Sequence, residues 1–429
     1  MIEYKNVRNF TFGARSLACL VAGLCFAAML VSVQGAQGDV TEASAAPQQW
    51  RCVWTSDPST TALISWNTNN AGQVHQVHYR RVDGNGAAEW SVQESHRDGQ
   101  YSSKAVELFY HHVRLTGLAP DTTYELSMES DGEKSPTFHF KTAPAEDKPL
   151  AVIFGADSRS GLKERRRMNA MLSRMLAESQ TEDKTPIIAF SHGGDFVVNG
   201  NDLKQWSRWM SDYELTTTDK GQLLPIIPTR GNHDHGPLFN EVFDFPKGDK
   251  NYYAIDVGPQ IRWVILNTET SVAGNQAKWL REELAASRPK YRWIVPQYHR
   301  PAFPAVKAPG RALIHWVPLF EKYNVDLVCE GDGHNIKRTP PIRNNRIDPT
   351  GVVYIGEGGL GVGQRTPKLD LWYLRPPQAK AGQGHHVQLL SFDEESITYR
   401  VELLDEGEGS NIFDEQSLAA RKPDAKKEK

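Results

Sequence analysis

The sequence predicts a multidomain chain, an all-β sandwich followed by an α/β (α+β) domain with two sheets flanked by helices. Three observations carry that expectation. Residues 49–143 hold short runs rich in Val, Thr, Tyr and Phe, separated by Gly/Asn/Asp/Ser-rich turns. A polar connector, Ala143-Pro144-Ala145-Glu146-Asp147-Lys148-Pro149, then changes the grammar. Beyond it, apolar strands alternate with helical patterns, and five of those strands run into polar tips.

The N-terminus reads as a targeting segment. Lys5, Arg8 and Arg15 precede an apolar run over 17–31, and the small, polar Ser32-Val33-Gln34-Gly35-Ala36 follows. This is the pattern of a signal peptide over 1–36, cleaved near Gly35 or Ala36. The run is short for a membrane span, and the alternative is an uncleaved anchor. Leu24 directly before Cys25 makes a poor lipoprotein site. The expectation is a periplasmic or extracellular protein with no transmembrane span in the mature chain. Residues 37–48 read as a linker. With 429 residues the prior is two or three domains. A formal charge of -3 gives no electrostatic case for binding DNA or an anionic membrane. Cys52 and Cys329 fall in different predicted domains, so a disulfide-stapled fold is not expected.

In the first domain, ALISWNT, VHQVHYRRV, HHVRLTGL, TYELSMES and TFHFKTAP are the expected strands. Leu118-Ala119-Pro120-Asp121-Thr122-Thr123-Tyr124 resembles the stretch before a late strand of a fibronectin type III domain, in which the tyrosine covers a sandwich corner. His75, His78, His111 and His112 are read as strand-surface residues and not as ligands.

In the second domain, 150–404, LAVIFGAD is the first strand. Met168, Met171, Leu172, Met175 and Leu176 then recur at helical spacing, marking an amphipathic helix against a sheet. PIIAFSHGGD, LLPIIPTRGNHD, IRWVILNTE, YRWIVPQYH and NVDLVCEGDGH are further strands; 276–286 and 311–322 are helical; VVYIGEGGLG, HHVQLLSF and SITYRVELL close the domain. The tail, 405–429, is acidic and then basic, and reads as disordered.

The polar tips supply Asp157, Asp195, Asn232, His299 and His334 from GADSRSG, HGGDFVVNG, RGNHDHG, QYHRPAF and EGDGHNIKR. Open α/β sheets gather ligand groups beyond the carboxyl ends of their strands. Any one of these segments alone is an ordinary turn. Their recurrence as oxygen and nitrogen metal ligands after successive strands is the pattern of a two-metal hydrolase. Two cations there acidify an attacking water.

These motifs resemble those of the calcineurin-like metallophosphoesterases, and among them the purple acid phosphatases, which carry a fibronectin-like N-terminal domain. The family patterns GDxx, GDxx, GNHD/E, a His before Pro, and GHxH are matched, with departures, by the five tips. The resemblance implies that Asp195 bridges two metals, Asp157 and His334 hold one, and Asn232 and His299 hold the other. It implies that His233 meets the substrate or leaving-group oxygen, with Asp234 orienting its ring. Arg159 either grips phosphate or pairs with a site carboxylate; both stay open. Arg300, Lys307 and Arg311 are weaker phosphate-contact candidates. Asp332 stands where the family has a histidine ligand, which makes that site harder if the carboxylate still binds. Val198 replaces the tyrosine that gives purple acid phosphatases their colour, so this chain is expected not to be purple.

Together these readings predict a secreted phosphomonoesterase, acid phosphatase-like, with two divalent or trivalent ions, Mn, Fe or Zn, and a small phosphorylated substrate. A phosphodiesterase of the same fold and a non-catalytic surface protein with a degenerate metal site are the alternatives. Nucleic-acid binding is not expected, since no basic stripe with interleaved aromatics is present.

Overall fold

The computed structural model describes residues 45–83, 86–103, 105–404 and 410–421. The signal-peptide reading therefore lies outside the described residues. No described helix is long and apolar enough to cross a membrane.

An N-terminal, mostly-β domain precedes an α/β domain whose two sheets are flanked by helices. The parallel strands Leu150–Gly155, Ile187–His192 and Ile226–Pro228 stand side by side in the first large sheet. Ile261–Ile265, Trp293–Tyr298, Leu327–Glu330 and Val353–Gly356 do the same in the second. Both Leu150–Gly155 and Trp293–Tyr298 are buried at every position. That is why their sequences read as nearly unbroken apolar runs, interrupted only by Gln297, instead of alternating ones: parallel strands are covered on both faces.

One core lies between the two sheets, where Phe154, Ile227, Trp263, Trp293, Ile355 and Phe392 meet. A second lies outside the first sheet, under helix α1 (Leu162–Glu178), helix α2 (Leu203–Tyr213) and the short helix α3 (Leu238–Val242). Met168, Met171, Leu172 and Leu176 of α1 are buried there, as their spacing requires. In α2, Trp206, Trp209, Met210 and Tyr213 form the buried face, and the Asp202 side chain caps the start through the Lys204 N–H. Burying side chains of this size contributes roughly 1.5–3 kcal/mol each. A third core packs helix α4 (Asn275–Ser287) and 312–322 on the outer face of the second sheet.

The N-terminal domain shares its backbone hydrogen bonding with the α/β domain. Its strand Gln48–Val53 pairs antiparallel with Ala62–Thr68 on one side and parallel with Ile226–Pro228 on the other. The described residues thus form a ten-stranded sheet that runs from one domain into the other, while His75–Asp83, Thr123–Ser130 and Phe138–Lys141 build the opposing sheet. The Tyr124 hydroxyl accepts the Ala119 N–H at 2.8 Å, closing the sandwich corner. Asp244, after α3, ties the two regions together by pairing with His96, Arg97 and Arg114 of the sandwich.

Two expectations change. The tail is not wholly disordered: Ser410–Ala419 is a strand paired antiparallel with Ser396–Leu404. Phe413 and Leu418 pack on the core, and Asp414 pairs with Arg338, which is enough to order a segment whose composition alone looks solvated. The histidines His75, His111 and His112 are not on the surface but buried. His112 Nε2 donates to the Glu241 carbonyl at 2.9 Å, and its Nδ1 faces the Ser65 hydroxyl at 2.7 Å. Cys52 and Cys329 are both free and buried.

Burial drives the His112 pKa down to about 3, so the ring is neutral in the folded protein. In the unfolded chain it protonates near its ordinary value of about 6.5. The folded value is the lower one, so stability is full above pH ~6.5 and declines as pH falls toward ~3, by about 2 kcal/mol at pH 5. Thermal unfolding from pH 7 to pH 5 is expected to show this decline. His112→Asn is expected to be less stable at pH 7 and to show a shallower dependence.

Candidate metal centre

The site is assembled from the loops that follow the parallel strands of both sheets. Backbone hydrogen bonds stitch the loops to one another. The Asp157 N–H donates to the Gly194 carbonyl at 3.0 Å and the Ser158 N–H to that of Asp195 at 3.1 Å. The Gly331 N–H donates to the His299 carbonyl at 2.9 Å, which joins the fourth and fifth tips. Asp157, Asp195, Asp332 and His334 all take left-handed backbone conformations, with φ of 63°, 60°, 69° and 61°. Such conformations are disfavoured for residues with a Cβ, and their gathering at one point marks a functional constraint. Gly358 sits against Asp157 for a steric reason: a Cβ there would come within 2.0 Å of Asp157 Oδ2.

The side chains converge. Ligand atoms of Asp157, Asp195, His299 and Asp332 all lie within 4.8 Å of one another, and all four residues are buried. His299 Nε2 is 3.2 Å from Asp195 Oδ1 and 3.6 Å from Asp332 Oδ1. His334 Nε2 is 3.3 Å from Asp157 Oδ1. Asn232 lies between Gly231 and His233, whose N–H donates to Asp195 Oδ1 at 2.9 Å.

The electrostatics call for a cation. Asp157 Oδ1, Asp195 Oδ2, Asn232 Oδ1 and His299 Nε2 are buried with no hydrogen-bond partner. His299 Nδ1 donates to the Gly193 carbonyl at 2.9 Å, so Nε2 is the ring nitrogen that faces the carboxylates. Burial opposes protonation of that ring, yet Asp195, Asp332 and Asp157 outweigh burial and push its pKa well above the ordinary range. Burial likewise works against a charged Asp195, while His299 and the His233 N–H hold its carboxyl down to about 2. Carboxylate, amide and imidazole atoms that face one another out of water without hydrogen-bond partners fit metal cations.

One side chain is engaged otherwise than expected. Asp234 does not orient the His233 ring. Its carboxylate accepts from the backbone N–H groups of Asp195, Phe196 and Gly231 at 2.8–2.9 Å, and so clamps the second and third tips together. The His233 ring is held instead by the Val198 carbonyl, 2.6 Å from Nδ1, which leaves Nε2 4.0 Å from Asp195 Oδ2. Arg159 pairs with a site carboxylate, its Nε 3.3 Å from Asp195 Oδ2 and a terminal nitrogen 3.4 Å from His334 Nε2.

The Lys307 ammonium pairs with Asp332 Oδ1. With His299 it holds the Asp332 carboxyl below the usual carboxylate range in spite of burial. Arg300 is occupied by Glu269 through two contacts at 2.8 and 3.1 Å. Sequence reasoning missed Arg365, whose guanidinium reaches the Asp332 carbonyl at 3.3 Å. It also missed the buried Lys337, which pairs with Glu330 and Glu357 beneath the last tips. Lys337 lies in the short strand Ile336–Arg338, whose two basic residues give no sequence sign of its burial.

A second group, His75, Asp98 and His111, also lies within metal-ligand range. Its ring nitrogens are already engaged, by Ser130 and Ala71 for His75 and by Asp98 and Thr68 for His111. The two rings stack at 3.6 Å. No lone pair is left open there, so this group reads as a packed hydrogen-bond network.

The family description of the calcineurin-like phosphoesterases matches residues 168–335, and that of the purple acid phosphatase N-terminal domain matches 47–142. An uncharacterized protein of Mycobacterium tuberculosis, Rv2577, is 27% identical over 352 residues, covering 72% of this chain and 62% of its own length. Purple acid phosphatase 22 of Arabidopsis thaliana is 25% identical over 377 residues, covering 80% of this chain and 81% of its own. The chain thus spans about three fifths of the length of the mycobacterial relative. Purple acid phosphatase PPD1 from yellow lupin (Lupinus luteus) seeds superposes with a TM-score of 0.71 at 16% identity, over 88% of this chain and 75% of that one. PhoD superposes at 0.61 and 12% identity, over 89% and 94%.

Metal analysis of protein purified without chelator is expected to give about two ions per chain. Asp195→Ala is expected to lose both and Asp332→Ala one, with the circular dichroism of the fold retained. Unchanged metal content in Asp332→Ala would remove that residue from the ligand set.

Proposed function

For a chain with the calcineurin-like, purple-acid-phosphatase-like metallophosphoesterase fold and an N-terminal accessory domain, we propose metal-dependent hydrolysis of a phosphate monoester. The observation that carries this reading is the set of buried, unpartnered ligand atoms on Asp157, Asp195, Asn232 and His299, all supplied by strand-end loops. Asp157 and His334 would hold one ion; Asn232, His299 and Asp332 the other; Asp195, with one oxygen toward His299 and the other toward Arg159, would serve both. Bound there, two ions supply charge neutralisation of the phosphate oxygens and a water acidified for in-line attack.

The chain's own residues do the rest. Arg159, with its guanidinium already at the cluster, offers planar N–H donors to phosphate oxygens. Lys307 adds a second positive charge on the Asp332 side. Two cations beside the cluster match the dianionic terminal phosphate of a monoester better than the single charge of a diester. The imidazole of His233 is partly exposed, and its Nδ1 is fixed by the Val198 carbonyl. Its Nε2 is therefore the atom able to hold a proton for the leaving oxygen. Asp234 keeps Asp195 and the His233 loop in register. Export to the periplasm or the extracellular space is proposed from the charged, apolar and small-residue order of residues 1–36.

The test is hydrolysis of 4-nitrophenyl phosphate with Mn added, and its loss on chelation. Asp195→Ala is expected to cut kcat by at least ~100-fold through loss of metal. His233→Ala is expected to keep the metal content and to slow phenyl phosphate far more than 4-nitrophenyl phosphate, because the poorer leaving group needs the proton. Full metal content with no hydrolysis of either ester would favour a binding protein instead.

A further inference from the structure

We infer that a cavity beside the metal cluster is a subsite for the ester group of the substrate, shaped for an apolar group that carries a second anionic charge. This rests on the phosphoesterase reading and names its substrate class. The cavity encloses about 320 Å³ between the first tip, the second tip and the outer face of α2.

Its position ties it to the chemistry. Arg159 forms one wall, and the same guanidinium lies 3.3 Å from Asp195 Oδ2. Val198 forms another wall, and its carbonyl fixes the His233 ring. The residue that fixes the His233 ring thus also borders this space. A second cavity, of about 360 Å³, lies near Met175, Glu178 and Arg400 at the opposite ends of the strands and includes none of the site residues.

The lining gives the ligand its character. Leu162 and Val198 are 37% and 41% exposed, and both border this space together with the buried Val197. Large apolar side chains left open beside a polar centre suit an aryl or similarly apolar group. Lys204 and Arg208 complete the rim. They stand four residues apart on the exposed face of α2, and no ion pair to a carboxylate engages either among the described residues. Like charges at that spacing work against the helix. No carboxylate lines the cavity, and Arg165 in its wall is already neutralised by Asp212. The two rim cations are thus the charges left for a ligand. The wall is also pre-formed: the Gln205 side-chain oxygen accepts the N–H groups of Val198 and Asn199 at 2.9 and 3.1 Å, locking the second tip to the helix.

The test uses the metal-loaded full chain and paired probes that differ by one carboxylate. Calorimetry compares phenylphosphonate with 4-carboxyphenylphosphonate, and kinetics compares phenyl phosphate with 4-carboxyphenyl phosphate. The wild type is expected to favour the carboxylated member of each pair by about fivefold or more. The double variant Lys204→Gln/Arg208→Gln is expected to abolish that preference, the carboxylated member of each pair losing more than its uncharged counterpart. Equal affinity for both phosphonates in the wild type, or an equal loss for both in the variant, would overturn the subsite. Hydrolysis of phenyl phosphate without any preference overturns the subsite alone and leaves the phosphoesterase reading standing. A clear preference in binding without turnover keeps the subsite and overturns that reading.

Discussion

Three carboxylates, those of Asp157, Asp195 and Asp332, are packed with the ring of His299 into one nearly dry cluster. Left alone, charges so close and so poorly hydrated repel strongly. The fold answers with positive charge from the side: Arg159 on Asp195 and Lys307 on Asp332. It leaves Asp157 Oδ1, Asp195 Oδ2, Asn232 Oδ1 and His299 Nε2 without a hydrogen-bond partner. Much of the surrounding structure can be understood as what is needed to hold these groups against their mutual repulsion until cations join them.

The holding is done by backbone. Asp234 binds three amides and so turns two separate loops into one rigid piece. The Asp332 N–H donates to Asp157 Oδ2 at 2.9 Å, joining the tips of the two different sheets. Beneath them, Lys337 pairs with both Glu330 and Glu357, while Glu357 Oε1 also accepts the Ala305 N–H at 2.9 Å. Left-handed φ at four ligand-bearing positions is the local cost of aiming these side chains inward, offset by this dense set of bonds.

The N-terminal domain belongs to the same mechanical unit. Because Gln48–Val53 lies between Ala62–Thr68 and Ile226–Pro228, the strand that leads to Asn232 and His233 is not an edge. It is braced on one side by Ile187–His192 and on the other by the sandwich. Asp244 and the buried His112 reinforce that join from the flank of α3. The third tip is thereby fixed from both sides, which suits the part of the site that carries His233.

Sequence alone determined what depends on local pattern and chemical type. Apolar runs ending in Asp, Asn and His specified the strands and the polar groups that converge at their ends, and Met168 to Leu176 specified α1, because burial of one face imposes its own period. It did not determine partners brought from far along the chain. Asp234 reads like a helper of its neighbour His233, yet its bonds go to Asp195 and Phe196, nearly forty residues away. The tail looked solvated until Arg338 and the core supplied contacts for Asp414 and Phe413. His75, His111 and His112 looked like surface residues because alternation marks two faces but not which one another sheet or helix will cover. The cavity at Arg159, Val198 and Lys204 exists only where three separate segments meet. Tertiary structure decided these points because the free energy of burying or pairing a polar group is set by whatever packs against it.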